Sequence, residues 1–127
     1  MIKYNSITKQ IQITRGDTTT LNITAKDSSG NDYTFPSNSV VRFMVAEKNN
    51  ESNVVISKTI EVQEDTKTIV IKLSSEDTKI GEIINKPVVY WYEVSVEDEN
   101  NEVQTIIGYD STGAKEFVLY PEALEED

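Results

Sequence analysis

Any chemistry in this chain has to come from carboxylates, hydroxyls, amides and aromatic rings, because its 127 residues include neither Cys nor His. Disulfides, Cys/His zinc sites, thiolate nucleophiles and His-based acid–base catalysis are thereby excluded. The remaining acid–base candidates are Glu93 and Glu97, which share one face of a strand pattern. A glycosidase needs two such acids at a set separation, one of them with a raised pKa in an apolar pocket. The flanking sequence supplies no such pocket to either residue, so no catalytic residue is assigned and a non-enzymatic chain is expected. Asp27, Ser29, Asn31 and Asp32 could offer oxygens to Ca²⁺. An EF-hand loop places ligands at positions 1, 3 and 5, Gly at 6 and Glu at 12; counted from Asp27, Gly30 falls at 4 and Tyr33 at 7. That pattern fails. Asp98 to Glu102 is a second oxygen-rich turn of the same kind, so no metal and no cofactor is expected. Arg15-Gly16-Asp17 spells an adhesion tripeptide, but a turn between two strands uses Gly for positive φ and Asp for capping. Tyr90, Trp91 and Tyr109 could form a platform for a glycan, although aromatic residues in a central strand are ordinarily core.

These residues must be positioned by strands. Pro87 to Asp98, PVVYWYEVSVED, is the longest apolar run and holds the one Trp. β-Branched and aromatic residues at this density predict a central strand. Alternation puts Val88, Tyr90, Tyr92, Val94 and Val96 on one face. Val89 and Trp91 open the other face, which turns polar at Glu93, Ser95 and Glu97. An exposed Trp–Val patch on a soluble protein marks a contact site unless something covers it. Ile80, Ile83 and Ile84, just upstream, are the expected internal cover, with a second subunit or partner as the alternative.

Elsewhere the alternation recurs at regular spacing. Residues 1–8 form a lead-in able to pair along an edge, and Lys9 to Arg15 places Ile11 and Ile13 inward. Thr18 to Lys26 does the same with Leu21, Ile23 and Ala25, before a polar turn at 27–32. Ser39 to Glu47 sets Val41, Phe43 and Val45 on one face and Val40, Arg42, Met44 and Ala46 on the other. A turn over 48–53 leads into a strand with Val54, Ile56, Lys58, Ile60 and Val62 in phase. Thr68 to Leu73 is a short strand. Ser74 as N-cap and Asp77 at N3 then give a capping-box signature, cut short by Gly81. Asp98 to Asn101 turns the chain into Val103 to Tyr109, and Asp110 to Gly113 into Lys115 to Tyr120. Seven or eight strands with turn signals about every ten residues predict one all-β domain over 1–120. The expected architecture is an antiparallel β sandwich, immunoglobulin-like or related, with one short helical turn and an acidic tail over 121–127.

The balance of 22 acidic against 12 basic residues gives a net charge of −10. Such a surface repels phosphate backbones and anionic lipid, so neither nucleic acid nor membrane is an expected partner. No apolar run of roughly 18 residues could span a bilayer, and the N-terminus lacks the apolar segment of a signal peptide.

The order of motifs carries a further indication. ITRGDT stands at the first turn, followed by Asp27, Gly30 and Tyr33 as D-x-x-G with a later aromatic. Val41, Phe43 and Val45 then make V-x-F-x-V, Glu76-Asp77-Thr78 the capped turn, and Tyr90 to Val94 Y-W-Y-E-V. An acidic hairpin and a final F-x-L strand complete the set. Over roughly residues 9–120 this series resembles small structural proteins of phages and prophages of Gram-positive bacteria, especially the N-terminal domain of phage baseplate upper proteins. The resemblance implies a β-sandwich attachment module of a phage tail or baseplate, found in the virion or in the host cytoplasm during assembly. It implies other virion or tail proteins as partners, bound by protein–protein contacts, with a homo-oligomer also compatible. Val89, Trp91 and Tyr109 are the candidate interface residues. A carbohydrate-binding or adhesion-type sandwich is the alternative.

Overall fold

The computed structural model describes residues 2–4, 9–27, 29–48, 50–82, 84–109 and 113–122. Along the chain run β1 (Ile2–Tyr4), β2 (Ile11–Thr14), β3 (Thr19–Ile23), β4 (Val40–Glu47) and β5 (Asn50–Glu61). They are followed by β6 (Ile69–Leu73), the single turn α1 (Ser75–Thr78), β7 (Val88–Glu97), β8 (Val103–Ile107) and β9 (Lys115–Tyr120). Among the described residues no helix is long and apolar enough to cross a membrane.

β7 is central, as its apolar content predicts. β4 runs antiparallel along its whole length, from Val40 opposite Glu97 to Glu47 opposite Tyr90. Its other edge is divided: β9 pairs Val88 to Tyr92, and β8 pairs Val94 to Glu97 with a register break after Val94. The resulting seven-stranded sheet runs β1-β2-β9-β7-β4-β5, with β8 beside β7. A two-stranded sheet, β3 against β6, packs over it, giving a β sandwich of unequal layers. The expected antiparallel pairing holds except at β2 and β9, which lie parallel from Ile11 opposite Phe117 to Thr14 opposite Tyr120. A parallel pair needs a long crossover, and here the crossover is nearly the whole chain.

The core lies between the layers. Phe43 sits at its middle, fully buried, with ring centroids 5.7 Å from Tyr92 and 6.5 Å from Phe117. Tyr90, Tyr92, Val94 and Val96 of β7 point inward, as alternation requires, against Leu21 and Ile23 of β3 and Ile69, Ile71 and Leu73 of β6. Burying each such side chain contributes about 1.5–3 kcal/mol. The Tyr92 hydroxyl is not stranded in this interior, because it donates to the Lys9 carbonyl.

Two local departures matter for the outer face. The chain turns back by Asn50, which pairs with Glu47, so β5 begins inside the segment read as a turn. Within β5, Val45 pairs with Ile56 but Ala46 pairs with Val54, leaving Val55 as an inserted bulge residue. A bulge reverses side-chain parity. Val54 therefore stands on the face opposite Ile56 and Ile60 rather than in phase with them, and is 39% exposed. The bulge also disrupts an otherwise long edge. Lys58, opposite Phe43 and thus turned inward, adds a charge there and is held 2.8 Å from Asp77. Bulges and inward charges are the devices by which edges resist pairing with another chain.

α1 begins as its capping signature predicts. Asp77 N–H donates to Ser74 Oγ at 3.1 Å, and Ser74 N–H to Asp77 Oδ2 at 2.7 Å. Ile80 and Ile84 beyond it pack against the core cluster. That is the side of β7 opposite Trp91, so they do not supply the expected cover; Ile83 lies outside the described residues. The tail is anchored at Glu122, and residues 123–127 lie outside the described set.

Candidate functional site: an open groove at Trp91

The sequence candidates separate into spent and open groups. Arg15, only 7% exposed, does not display its guanidinium to solvent. Its Nη1 meets Glu122 Oε1 at 2.8 Å, its Nη2 donates to the Gly81 carbonyl at 2.7 Å and its Nε to the Ile80 carbonyl at 3.3 Å. Gly16 takes φ +86°, which other residues adopt only under strain, and its N–H donates to the buried Thr78 hydroxyl at 2.9 Å. Thr78 Oγ1 in turn donates to the Asp17 carbonyl at 2.9 Å. The tripeptide is a clamp joining the first turn, the α1 exit and the C-terminal segment.

Both oxygen-rich turns serve the backbone. Asp27 Oδ1 accepts from Ser29 N–H and Asn31 N–H at 2.9 and 3.0 Å, while Asp32 pairs with Lys26 at 2.6 Å. Asp98 Oδ1 accepts from Asn100 N–H and Glu102 N–H at 2.9 and 3.0 Å. Among the described residues no cluster of three or more acids is gathered as metal ligands would be. Glu93 and Glu97 stand four residues apart on β7. At about 3.3 Å per residue that is roughly 13 Å, beyond the range of about 5–9.5 Å used by glycosidase pairs. Glu97 is engaged by Arg42 at 2.8 Å.

The three candidate interface residues are brought together on the outer face of the large sheet. Trp91 stands between Ala46 on β4 and Glu116 on β9. Small Ala46 leaves room beside the indole, and the bulge delivers Val54 to the far side of Ala46. Met44, Ala46, Val54, Trp91, Tyr109 and Ala114 line a hollow of ≈ 250 Å³, into whose margin Glu93 and Lys115 bring charge. A second hollow, of ≈ 560 Å³, continues past Trp91 along Val88 and Val89 to Glu47 and Lys48. Trp91 is thus a rib between two hollows of one groove. Tyr109, 80% exposed, overhangs the first.

Polar pairs frame this apolar strip. Gln12 donates to Gln10 at 2.8 Å and Gln10 to Glu116 at 2.9 Å on the β2–β9 side. Asn53 donates to Glu47 near the β4–β5 turn, and Arg42–Glu97 closes the far end. Met44, Ala46 and Val54 were absent from the interface read from sequence. Met44 and Ala46 were legible as outer-face residues of their strand, but Val54 was hidden by the bulge. Set against known proteins, the chain matches no protein-family model and no curated protein.

Proposed function

We propose that this chain is a non-enzymatic attachment module that binds other proteins through the groove at Trp91, as a component of a phage or prophage tail or baseplate. The observation that carries the docking part is the framed apolar strip itself. Val54, Met44, Ala46, Trp91 and Val89 line hollows on the outer sheet face bordered by Tyr109 and Ala114, with Val54 exposed and the other four half-buried, and accessible apolar strips with polar rims mark contact sites. Trp and Tyr are the residue types that dominate interface energetics, and both stand here at the groove's edges. The tail assignment rests on the motif order, and the acidic, strand-rich chain suits an assembly subunit better than a nucleic-acid binder. A glycan reading is favoured by one feature, Trp91 and Tyr109 bordering a single hollow beside Glu93. The two part on a simple titration, since soluble sugars should leave Trp91 emission unchanged if the partner is a protein. Immunogold labelling of particles purified from the source strain tests the assignment. Label on tails supports it, and particles without label contradict it.

A further inference from the structure

β8 pairs only with Val94 to Glu97 of β7 and lies off the main path of the large sheet. Its outer row of backbone N–H and C=O groups meets no other strand among the described residues. The facing layer also stops short of it. Gln104 stands opposite buried Val96 and so points inward, yet it is exposed. A hollow of ≈ 360 Å³ opens there, lined by Tyr33 and Pro36 from the segment before β4 and by Val103 and Gln104, with Asp98 and Glu102 beside them. A second hollow, of ≈ 310 Å³, lies farther along the same strand, where Thr105 and Ile107 share it with Ala25 and Lys26. Edge strands are ordinarily guarded by charge, Pro or bulges. The β5 edge is guarded in this way, but Val103 to Tyr109 carries neither charge nor Pro in a chain that is 27% charged. The register break sets Ile106 out of the ladder and leaves Val103 to Thr105 in regular pairing.

We infer that the outer edge of β8 takes an added strand from another protein, an extended segment with β-branched or aromatic side chains that carries Lys or Arg where it passes Asp98 and Glu102. This contact is separate from the Trp91 groove and does not depend on it. Two observations commit the occupant. A row of free backbone groups is matched by another extended backbone, which supplies main-chain bonds while the flanking hollows take alternate side chains. Charge then sets its orientation. Asp98 Oδ1 accepts from backbone N–H groups, but no Lys or Arg among the described residues pairs with Asp98 or Glu102, so neither charge is neutralised by a neighbouring cation. Burial and, after it, the Asp98 carboxylate hold the Tyr33 phenol above its usual pKa, which shows that this charge is felt within the hollow. A cation seated there meets both carboxylates beside an aromatic ring. In the second hollow Lys26 is paired with Asp32, and Lys9 and Lys115 donate to carbonyls, so nothing is asked of these lysines. A second copy of the chain fits less well, since its own net charge of −10 opposes approach.

Random dodecapeptides selected on the immobilised 127-residue protein test this. Selected sequences should alternate Val, Ile, Thr or Tyr with polar residues and hold a Lys or Arg toward one end. On binding, amide exchange should slow within Val103 to Thr105, an effect that side-chain docking alone does not produce. N-methylation of one alternate set of peptide residues should lower affinity by about tenfold and of the other set very little, because an added strand bonds along one edge only. Gln104→Lys, an inward charge at an exposed position, should weaken binding by a similar factor while the free protein melts as the parent does. Glu102→Gln should weaken it severalfold and flatten its salt dependence. Trp91→Ala should leave these affinities unchanged. Peptides that need Trp91 and leave β8 exchange unaltered would overturn the inference and spare the groove reading. Recovery of no peptide that slows β8 exchange would overturn it as well. A doubled mass of the protein alone, abolished by Gln104→Lys, would give the edge to a second copy, against the inference.

Discussion

Arg15→Met removes the clamp at the Arg-Gly-Asp turn while keeping a side chain of similar length. Three contacts are lost: to Glu122, to the Gly81 carbonyl and to the Ile80 carbonyl. Hydrogen bonds to charged groups contribute about 1.5–3 kcal/mol each, but they are not additive within one side chain. The Ile80 contact, at 3.3 Å, is the weakest of the three. The Glu122 side chain is 26% exposed and recovers water when its partner goes, so its share falls toward the surface ion-pair range of about 0–1 kcal/mol. The Gly81 carbonyl is left to find water. A total of about 2–4 kcal/mol follows, which for a domain of this size lowers Tm by roughly 8–16 °C. Urea melts followed at Trp91 measure it, with an unchanged m-value as the sign that both states stay comparable. Arg15→Lys should recover less than half, because a point charge cannot replace the planar fork. Glu122→Gln should cost no more than about 1 kcal/mol. If Arg15→Met melts within about 0.5 kcal/mol of the parent, near the limit for an ordinary surface change, the clamp is refuted and the turn is free for another role.

Phe43→Ala should cost about 3–5 kcal/mol, because Phe43 is fully buried at the centre of the sandwich; chemical denaturation checks it. Gly16→Ala should cost on the order of 1 kcal/mol or more, since φ +86° strains any Cβ while the nearest atoms, side-chain atoms of Glu122 and Lys79 at 3.4 Å, have some freedom to give. For Asp77, burial raises the carboxyl pKa, but the Lys58 ion pair and the Ser74 donors outweigh it and hold the group below its usual value. A lowered folded-state pKa stabilises above the unfolded value, near pH 4, and that contribution fades as pH falls through the folded value. Asp77→Asn should therefore be less stable than the parent at pH 7 and converge on it as pH drops below about 4; a gap independent of pH would refute the ionic origin.

The sandwich was legible because its core is written locally. Phe43 and Tyr92 each stand in an alternating run whose inward face is continuous, and Ser74 with Asp77 spells a cap that needs only four consecutive residues. The turns at Asp27 and Asp98 were legible for the same reason, since each acid bonds backbone N–H groups two and four residues ahead. Pairings across the whole chain were not. Nothing near Ile11 announces that its neighbour is Phe117, and parallel alignment of the two ends is a property of closure, not of either strand. Val54 was misplaced because a one-residue bulge leaves the apolar pattern intact while reversing the face. Ile80 and Ile84 have no period that could tell which side of β7 they cover. Of the site, Val89, Trp91 and Tyr109 were recognisable by type, whereas the part played by Val54 and Lys115 depends on geometry that no spacing encodes.

If the groove docks the chain onto another protein of a phage particle, as proposed, Trp91 and Tyr109 are both held against that protein. Replacing Tyr109 by the photo-crosslinking residue benzoylphenylalanine, and in parallel replacing exposed Val70 on the small sheet, tests this directly in assembled particles. Docking at the groove predicts one discrete adduct with a particle protein from position 109, none from position 70, and loss of the adduct when Trp91→Ala is added. Equal crosslinking from the two positions, or an adduct indifferent to Trp91→Ala, would contradict it.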